Sequence, residues 1–240
     1  MATHCRSSST ALSLLRAVGL VVTLLSLVAS SSAQFAIPER YDGFVYNVST
    51  EQGRGPVMWE VFVDPLCIDC KNAWPVVKQV VEKYGSALLL IVHPFPAPFH
   101  HNAFFASRGL HVAQMTNSSL VYPLLELIFS NQESFLNPST NHETPAHVVS
   151  RLISLADNLG FPTNSFEVAF NDAVTDQATR ISFKYGCSRG VVGTPTYLVN
   201  GVAVAGADDS WSVEDWGKLF DPMMKSPGFG MLYSSLAPGS

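Results

Sequence analysis

The sequence predicts an α/β fold in which an all-helical stretch interrupts a small sheet. Three observations carry that expectation. Residues 57–63 and 87–92 are apolar runs of strand length, broken only by Glu60, and they flank a helical pattern; this is the arrangement of a βαβ unit with buried parallel strands. From His93 to Gly190 no strand pattern recurs. Beyond it, residues 196–199 and 202–205 flank Asn200-Gly201, the strongest short hairpin signal.

Taken in order, residues 44–48 are rich in aromatic and β-branched side chains and read as a short strand, and 51–56 read as a Gly-rich loop. Asp64-Pro65 ends the 57–63 strand. From Cys67 to Tyr84 the residues Trp74, Val77, Val81 and Tyr84 recur at helical spacing, with Val76 and Val80 widening the apolar face. Pro75 should kink this helix and Gly85 should stop it. Within the helical insertion, about 97–189, residues 102–115 suit a helix, and Leu120, Leu124, Leu127 and Ile128 form a second stripe. Thr144-Pro145 is a capped helix start, followed by Val148, Leu152, Leu155 and Leu159 on one face up to Gly160. Phe166, Phe170, Ala173, Gln177 and Ile181 suggest one further, longer helix. Ser212 with Asp215 three residues on reads as a capping box for a last helix to about Met224. The Gly/Ser/Pro-rich residues 226–240 read as a flexible tail.

Residues 1–33 contain no Asp or Glu, and Arg6 and Arg16 precede the apolar run 17–29 and the small residues Ser31-Ser32-Ala33. That is the order of a secretory signal peptide. The run is shorter than the about 20 residues of a membrane span; an uncleaved anchor and a Ser-rich organelle transit peptide are the alternatives. Removing 33 of the 240 residues leaves 207, which suits one domain at 40–225 with its insertion. Without Arg6 and Arg16 there remain 12 basic residues against 19 acidic ones, a net charge of −7. This balance lacks the basic patch that nucleic-acid binding needs. No second long apolar stretch calls for a membrane after cleavage. Asn47-Val48-Ser49 and Asn117-Ser118-Ser119 match the N-glycosylation triplet. The chain ends Ala237-Pro238-Gly239-Ser240, without a retention tetrapeptide, so an extracellular or vacuolar/lumenal destination is expected.

The chemistry centres on Cys67-Ile68-Asp69-Cys70. A C-x-x-C pair at a helix start sets the first sulfur among unsatisfied backbone N–H groups at the positive end of the dipole, which favours thiolate, the nucleophile of disulfide exchange. Cys67 should be the attacking sulfur and Cys70, one turn on, the buried resolving one; together they would close a disulfide. A static disulfide and half of a zinc site are the plainer alternatives, the latter needing Cys187 and a histidine as further ligands. With Cys5 in the signal, Cys187 is left over. It is expected to be a buried apolar cysteine, with exchange into the active pair or bonding to another chain as lesser options. Gly193-Thr194-Pro195 opens the hairpin. A cis bond there would turn Thr194 toward solvent and leave its backbone free for an extended substrate, whereas a trans proline would be an ordinary strand start. His93, His100 and His101 follow the second strand. One of them beside Cys67 would hold its thiolate; the plainer reading makes all three solvent or loop residues. Asp64 reads as a strand-end turn residue and Glu60 as an edge or solvent-facing one, although a buried carboxylate near the pair could shuttle a proton to Cys70.

In three stretches the chain resembles the thioredoxin superfamily, and most closely its DsbA-like branch. These are the 57–63 strand into Cys67-Ile68-Asp69-Cys70; His93-Pro94-Phe95-Pro96 with Asn102-Ala103 and Ala106; and Gly190-Val191-Val192-Gly193-Thr194-Pro195-Thr196 into Val199-Asn200-Gly201. The resemblance covers about residues 40–225. It implies a thioredoxin-like fold with an all-helical insertion, a redox-active Cys67/Cys70 pair, a cis Pro195 packed against Cys67, and a Thr194 that holds the substrate chain. No metal or other cofactor is implied. The expected function is a secreted thiol-disulfide oxidoreductase acting on protein or peptide thiols and disulfides, with glutathione a further partner. The alternatives are a non-catalytic peptide-binding protein of this fold and a glutathione-dependent transferase or isomerase. The chain departs from the family in carrying Ile68-Asp69 where DsbA-like oxidants carry Pro-His, and Leu66 where thioredoxins often have an aromatic residue. A carboxylate between the sulfurs should oppose thiolate formation, so a weaker oxidant than the DsbA type is expected.

Overall fold

Two apolar strands, β2 (Val57–Val63) and β3 (Leu88–Pro94), lie parallel at the middle of a five-stranded sheet, in register from Val57 opposite Leu88 to Val63 opposite Pro94. The computed structural model describes residues 41–46 and 57–225. The expected signal peptide, the Asn47 triplet, the loop at 51–56 and the tail at 226–240 lie outside the described residues. The sheet order is β1-β3-β2-β4-β5, with β1 (Phe44–Val45), β4 (Thr196–Val199) and β5 (Val202–Ala203) all paired antiparallel. Asn200 and Gly201, with φ of 50° and 79°, form the tight hairpin turn that the Asn-Gly pair calls for.

The connection between β2 and β3 is α1 (Ile68–Tyr84), which carries through Pro75 and ends where the Gly85 N–H bonds the Val81 carbonyl. Between β3 and β4 the described chain is helical: α2 (Ala103–Thr116), α3 (Val121–Ser130), the short α4 (Asn137–Thr140), α5 (Pro145–Asp157), α6 (Thr163–Asn171) and α7 (Ala173–Ser188). Thr144 caps α5 through the His147 N–H at 3.4 Å, with Pro145 at the first position. α8 (Val213–Lys225) closes the described chain, and Ser212 and Asp215 form the reciprocal capping box. This is the expected α/β architecture, a thioredoxin-like sheet with an all-helical insertion.

One expected helix is two. Phe166 and Phe170 are buried on α6, but Asp172 is extended (φ −70°, ψ 135°) and its carboxylate caps the Val174 N–H at 2.8 Å, so α7 starts afresh. The buried stripe of α7 is Thr175, Thr179, Ser182 and Gly186, not the expected Ala173, Gln177 and Ile181. Small residues let α7 approach the sheet closely: a Cβ on Gly186 would stand 2.4 Å from Phe95 Cδ2. Cys187, next to that stripe, faces outward and is exposed, which overturns the expectation of a buried cysteine.

The pleat divides the two faces. Trp59, Val61 and Val63 of β2, Leu88, Leu90 and Val92 of β3 and Tyr197 and Val199 of β4 face the main core with α1 and α8. There Trp59 packs on Trp216 at 4.7 Å and Phe220 at 5.4 Å between ring centres. The opposite face, under α7, holds Phe62, Phe95 and Leu198. It also holds Glu60 and His93, both wholly buried. Glu60 was expected at an edge or in solvent, and His93 in solvent or a loop. Instead Glu60 Oε1 accepts from Tyr41 and Tyr185 hydroxyls, each at 2.7 Å, and lies 3.4 Å from His93 Nε2. The two tyrosine hydroxyls also contact one another. His93 Nδ1 lies 2.9 Å from Asp42 Oδ2, and Ser182 Oγ joins Asp42 Oδ1 at 2.6 Å to His111 Nε2 at 3.0 Å. A cation and two carboxylates thus lie together behind the sheet, although Glu60 Oε2 and His93 Nε2 make no hydrogen bond of their own.

Candidate active site

Because β2 and β3 are parallel, the segments that leave them emerge at one end of the sheet. β4 runs the other way and enters from that end, with Thr196 opposite Phe62. The turn 64–67, the segment 95–100 and the Thr194-Pro195 dipeptide therefore meet at the carboxyl end of β2, where open α/β sheets place their ligands. The Phe95 N–H bonds the Val63 carbonyl at 2.8 Å, and the Cys67 N–H bonds the Asp64 carbonyl at 3.0 Å.

Cys67 is the N-cap residue of α1, with extended φ and ψ of −80° and 127°. Its thiol donates to the Thr194 carbonyl at 3.3 Å. The Thr194–Pro195 bond is cis. The Cys67 thiol is pulled down from its ordinary 9.0 to about 6, first by hydrogen bonding from Cys70, then, against the opposing cost of burial, by the Thr194 side chain and the backbone N–H groups of Cys70 and Asp69. Those last two donors are the orphan amides of a helix start. Cys70 is pushed well above its ordinary value, first by burial and then by its neighbour Cys67. One sulfur is ready to ionise and the other holds its proton. Asp69 is exposed, while its backbone contributes a donor. The expected opposition from Asp69 is therefore offset by the helix start.

Sequence reasoning missed two supports. Gln132, buried in the turn after α3, donates to the carbonyls of Pro65 and Cys67 at 3.1 and 2.9 Å and so clamps the turn that carries the cysteine pair. Only the side chain's later burial marks it; nothing in its local sequence does. Asp64 is the strand-end turn residue that the sequence predicts, its carbonyl accepting the Cys67 N–H; beyond that expectation it is wholly buried and pairs with His100 at 2.7 Å. Of the three histidines read as solvent or loop residues, only His101 is exposed. Around Cys67 the surface is apolar: Ile68 and Phe99 are exposed, and Val192 is 96 % exposed. Among the described residues no group of three or more histidine, cysteine or carboxylate side chains is arranged to hold a metal ion. No helix among them is long and apolar enough to cross a membrane.

A family model described as "DSBA-like thioredoxin domain" matches residues 59–215. Among solved structures, the chain is similar to a proposed protein-disulfide isomerase from Pseudomonas syringae, at 20 % identity over 69 % of this chain and 94 % of that one, with a TM-score of 0.62. It is also similar to the thiol-disulfide exchange protein alpha-DsbA2 from Wolbachia pipientis (14 % identity, 75 % and 87 % covered, TM-score 0.58) and to a thioredoxin-like oxidoreductase from Silicibacter pomeroyi (16 %, 72 % and 89 %, TM-score 0.55). No curated protein matches by sequence. At these identities the structures speak to the fold, and the family match covers strand, cysteine pair, insertion and hairpin alike: the chain belongs to the DSBA-like thioredoxin domain family.

Proposed function

We propose that the protein is a thiol-disulfide oxidoreductase of the secretory route, acting on protein or peptide thiols and disulfides through Cys67 and Cys70, within a domain spanning about residues 40–225. The carrying observation is the asymmetry of the pair: a thiol lowered to about 6 at the start of α1, one turn from a sealed thiol held high. In the reducing direction the Cys67 thiolate attacks one sulfur of a substrate disulfide. That S–S bond breaks and the other substrate sulfur leaves with the electron pair. Cys70 then gives up its proton and attacks the Cys67 sulfur, releasing the second substrate sulfur and closing the Cys67–Cys70 disulfide. Two electrons have passed to the substrate; oxidation is the same path reversed.

Thr194 and Pro195 are the substrate-binding pair in this reading. The stretch before Pro195, with the bare Val192, offers an apolar surface to an extended chain, and Ile68 and Phe99 continue it. Insulin reduction, or refolding of a scrambled substrate, tests the function. Cys67→Ser is expected to abolish either activity; a variant that keeps it removes this mechanism. The secretory part rests on residues 1–33 and on Asn117, which is exposed. N-terminal sequencing of the exported chain is expected to begin at Gln34, and a retained N-terminus would refute cleavage.

A further inference from the structure

The Asp64 carboxylate has no exposed surface, and both its oxygens are engaged. Oδ1 accepts the Leu66 N–H at 2.8 Å; Oδ2 accepts the Ala97 N–H at 2.9 Å and meets His100 Nδ1 at 2.7 Å. Its carbonyl takes the Cys67 N–H. One residue therefore ties the turn that carries Cys67 to the His100 imidazole. With Nδ1 committed to Asp64, the nitrogen open to proton exchange is Nε2. The ring keeps about a fifth of its surface exposed, so an incoming sulfur can reach it. Between the two cysteines the chain supplies no cation, only Ile68 and Asp69.

We propose that His100, oriented by Asp64, is the acid–base partner of Cys67: its imidazolium faces the thiolate and gives the Nε2 proton to the substrate sulfur that departs when Cys67 attacks. Asp64 is the positioning residue. As Cys67 forms its bond to one substrate sulfur, the substrate S–S bond breaks. The departing thiolate takes the proton, leaving neutral imidazole and the mixed disulfide. In the reverse direction the imidazole removes that proton from a substrate thiol. The role rests on the exchange reading above.

The electrostatics agree with the geometry. The ionisable groups that act on His100 are Asp64 from the end of β2, by hydrogen bond and charge, and Cys67 from the start of α1, by charge. Hydrogen bonding to Asp64 raises the imidazole above its ordinary 6.5, partial burial opposes, and the charges of Asp64 and Cys67 raise it further. A raised histidine stays charged until the pH passes its new value, and Cys67 ionises as the pH rises through about 6. Thiolate and imidazolium therefore coexist from about pH 6 to beyond 6.5.

Two measurements on the full reduced chain test this. The first is the pH profile of Cys67 alkylation by iodoacetamide. In His100→Gln its midpoint is expected to rise, slowing alkylation at pH 6 about twofold or more. The second leaves His100 in place: its imidazole titration, followed by NMR, is expected to fall in Cys67→Ser because the facing charge is gone. An unmoved alkylation midpoint, or an unmoved His100 titration, overturns the pairing. A wild-type chain that exchanges no disulfide would instead overturn the exchange reading, and the two titrations would still decide the pairing.

Discussion

Glu60→Ala is expected to cost the fold about 3–5 kcal/mol, the usual penalty for breaking one side of a buried ion pair. The carboxylate sits in the middle of the central strand with no exposed surface. Its removal leaves the Tyr41 and Tyr185 hydroxyls without their acceptor and the buried His93 with Asp42 alone. Urea unfolding at pH 7 followed by circular dichroism measures the loss; a cost below about 1 kcal/mol would show that the network contributes nothing net. The pH dependence has a definite sign. Burial alone would raise Glu60, but His93 and the two tyrosines bring it down to about 2, so its contribution is complete above the ordinary 4.5 and fades as pH falls toward 2. Against burial, Asp42 and then Glu60 raise His93, so its contribution is complete below the ordinary 6.5 and is lost as pH rises through the raised value. The ionic network is thus fully present between about pH 4.5 and 6.5. His111 acts against it: burial lowers it to about 4, so the unfolded chain gains protons as pH falls below 6.5. In the Glu60 variant the high-pH loss should shrink with His93's reduced shift.

The second large expected effect is on the reduction potential of the Cys67–Cys70 pair. A thiol of pKa about 6 is mostly thiolate at pH 7. Relative to an ordinary thiol this stabilises the reduced form by ~1.4 kcal/mol, or ~30 mV, at that pH. A thiol of pKa ~3.5, as in the strongest oxidants of this kind, would gain ~100 mV by the same reckoning. Counted from thioredoxin (pKa ~7, ~−270 mV) this gives ~−250 mV, and counted from the ~−120 mV oxidants ~−190 mV, so the pair is expected between those two values and well below the oxidising power of a ~−120 mV pair. The gain belongs to the thiolate and disappears as pH falls through about 6. Equilibration with glutathione buffers at pH 7 and at pH 5 measures both; a value at or beyond ~−120 mV at pH 7 would sink the argument.

The architecture was legible because strand order, the Asn-Gly hairpin and the apolar runs all point the same way. The cysteine pair was legible for a local reason: N-cap position and one-turn spacing are properties of four consecutive residues. What escaped notice was long-range polar chemistry. Glu60 looked like a solvent residue because its partners Tyr41, Asp42, His93 and Tyr185 are scattered along the chain; the available signal was a lone carboxylate inside an otherwise apolar parallel strand with a histidine at the end of the next. His100 could not be told from His93 or His101 by spacing, since only the closing of the β3 exit onto Asp64 selects it. The α7 stripe was missed because Thr175, Thr179, Ser182 and Gly186 are not apolar residues; they are buried for their small size. Cys187 was expected inside because free cysteines are usually buried, yet its place on α7 leaves it exposed.

The sealed position of Cys70 bears on damage as well as on turnover. Peroxide reaching the pair meets Cys67 first, because Cys67 is the ionised sulfur, and converts it to a sulfenic acid. A neighbouring thiol already hydrogen-bonded to that sulfur stands ready to condense with it, expelling water and returning the pair to an ordinary disulfide before further oxygen can add. Burying the second sulfur thus gives the first a built-in path back from oxidative injury, and it keeps the rescuing thiol out of the oxidant's reach.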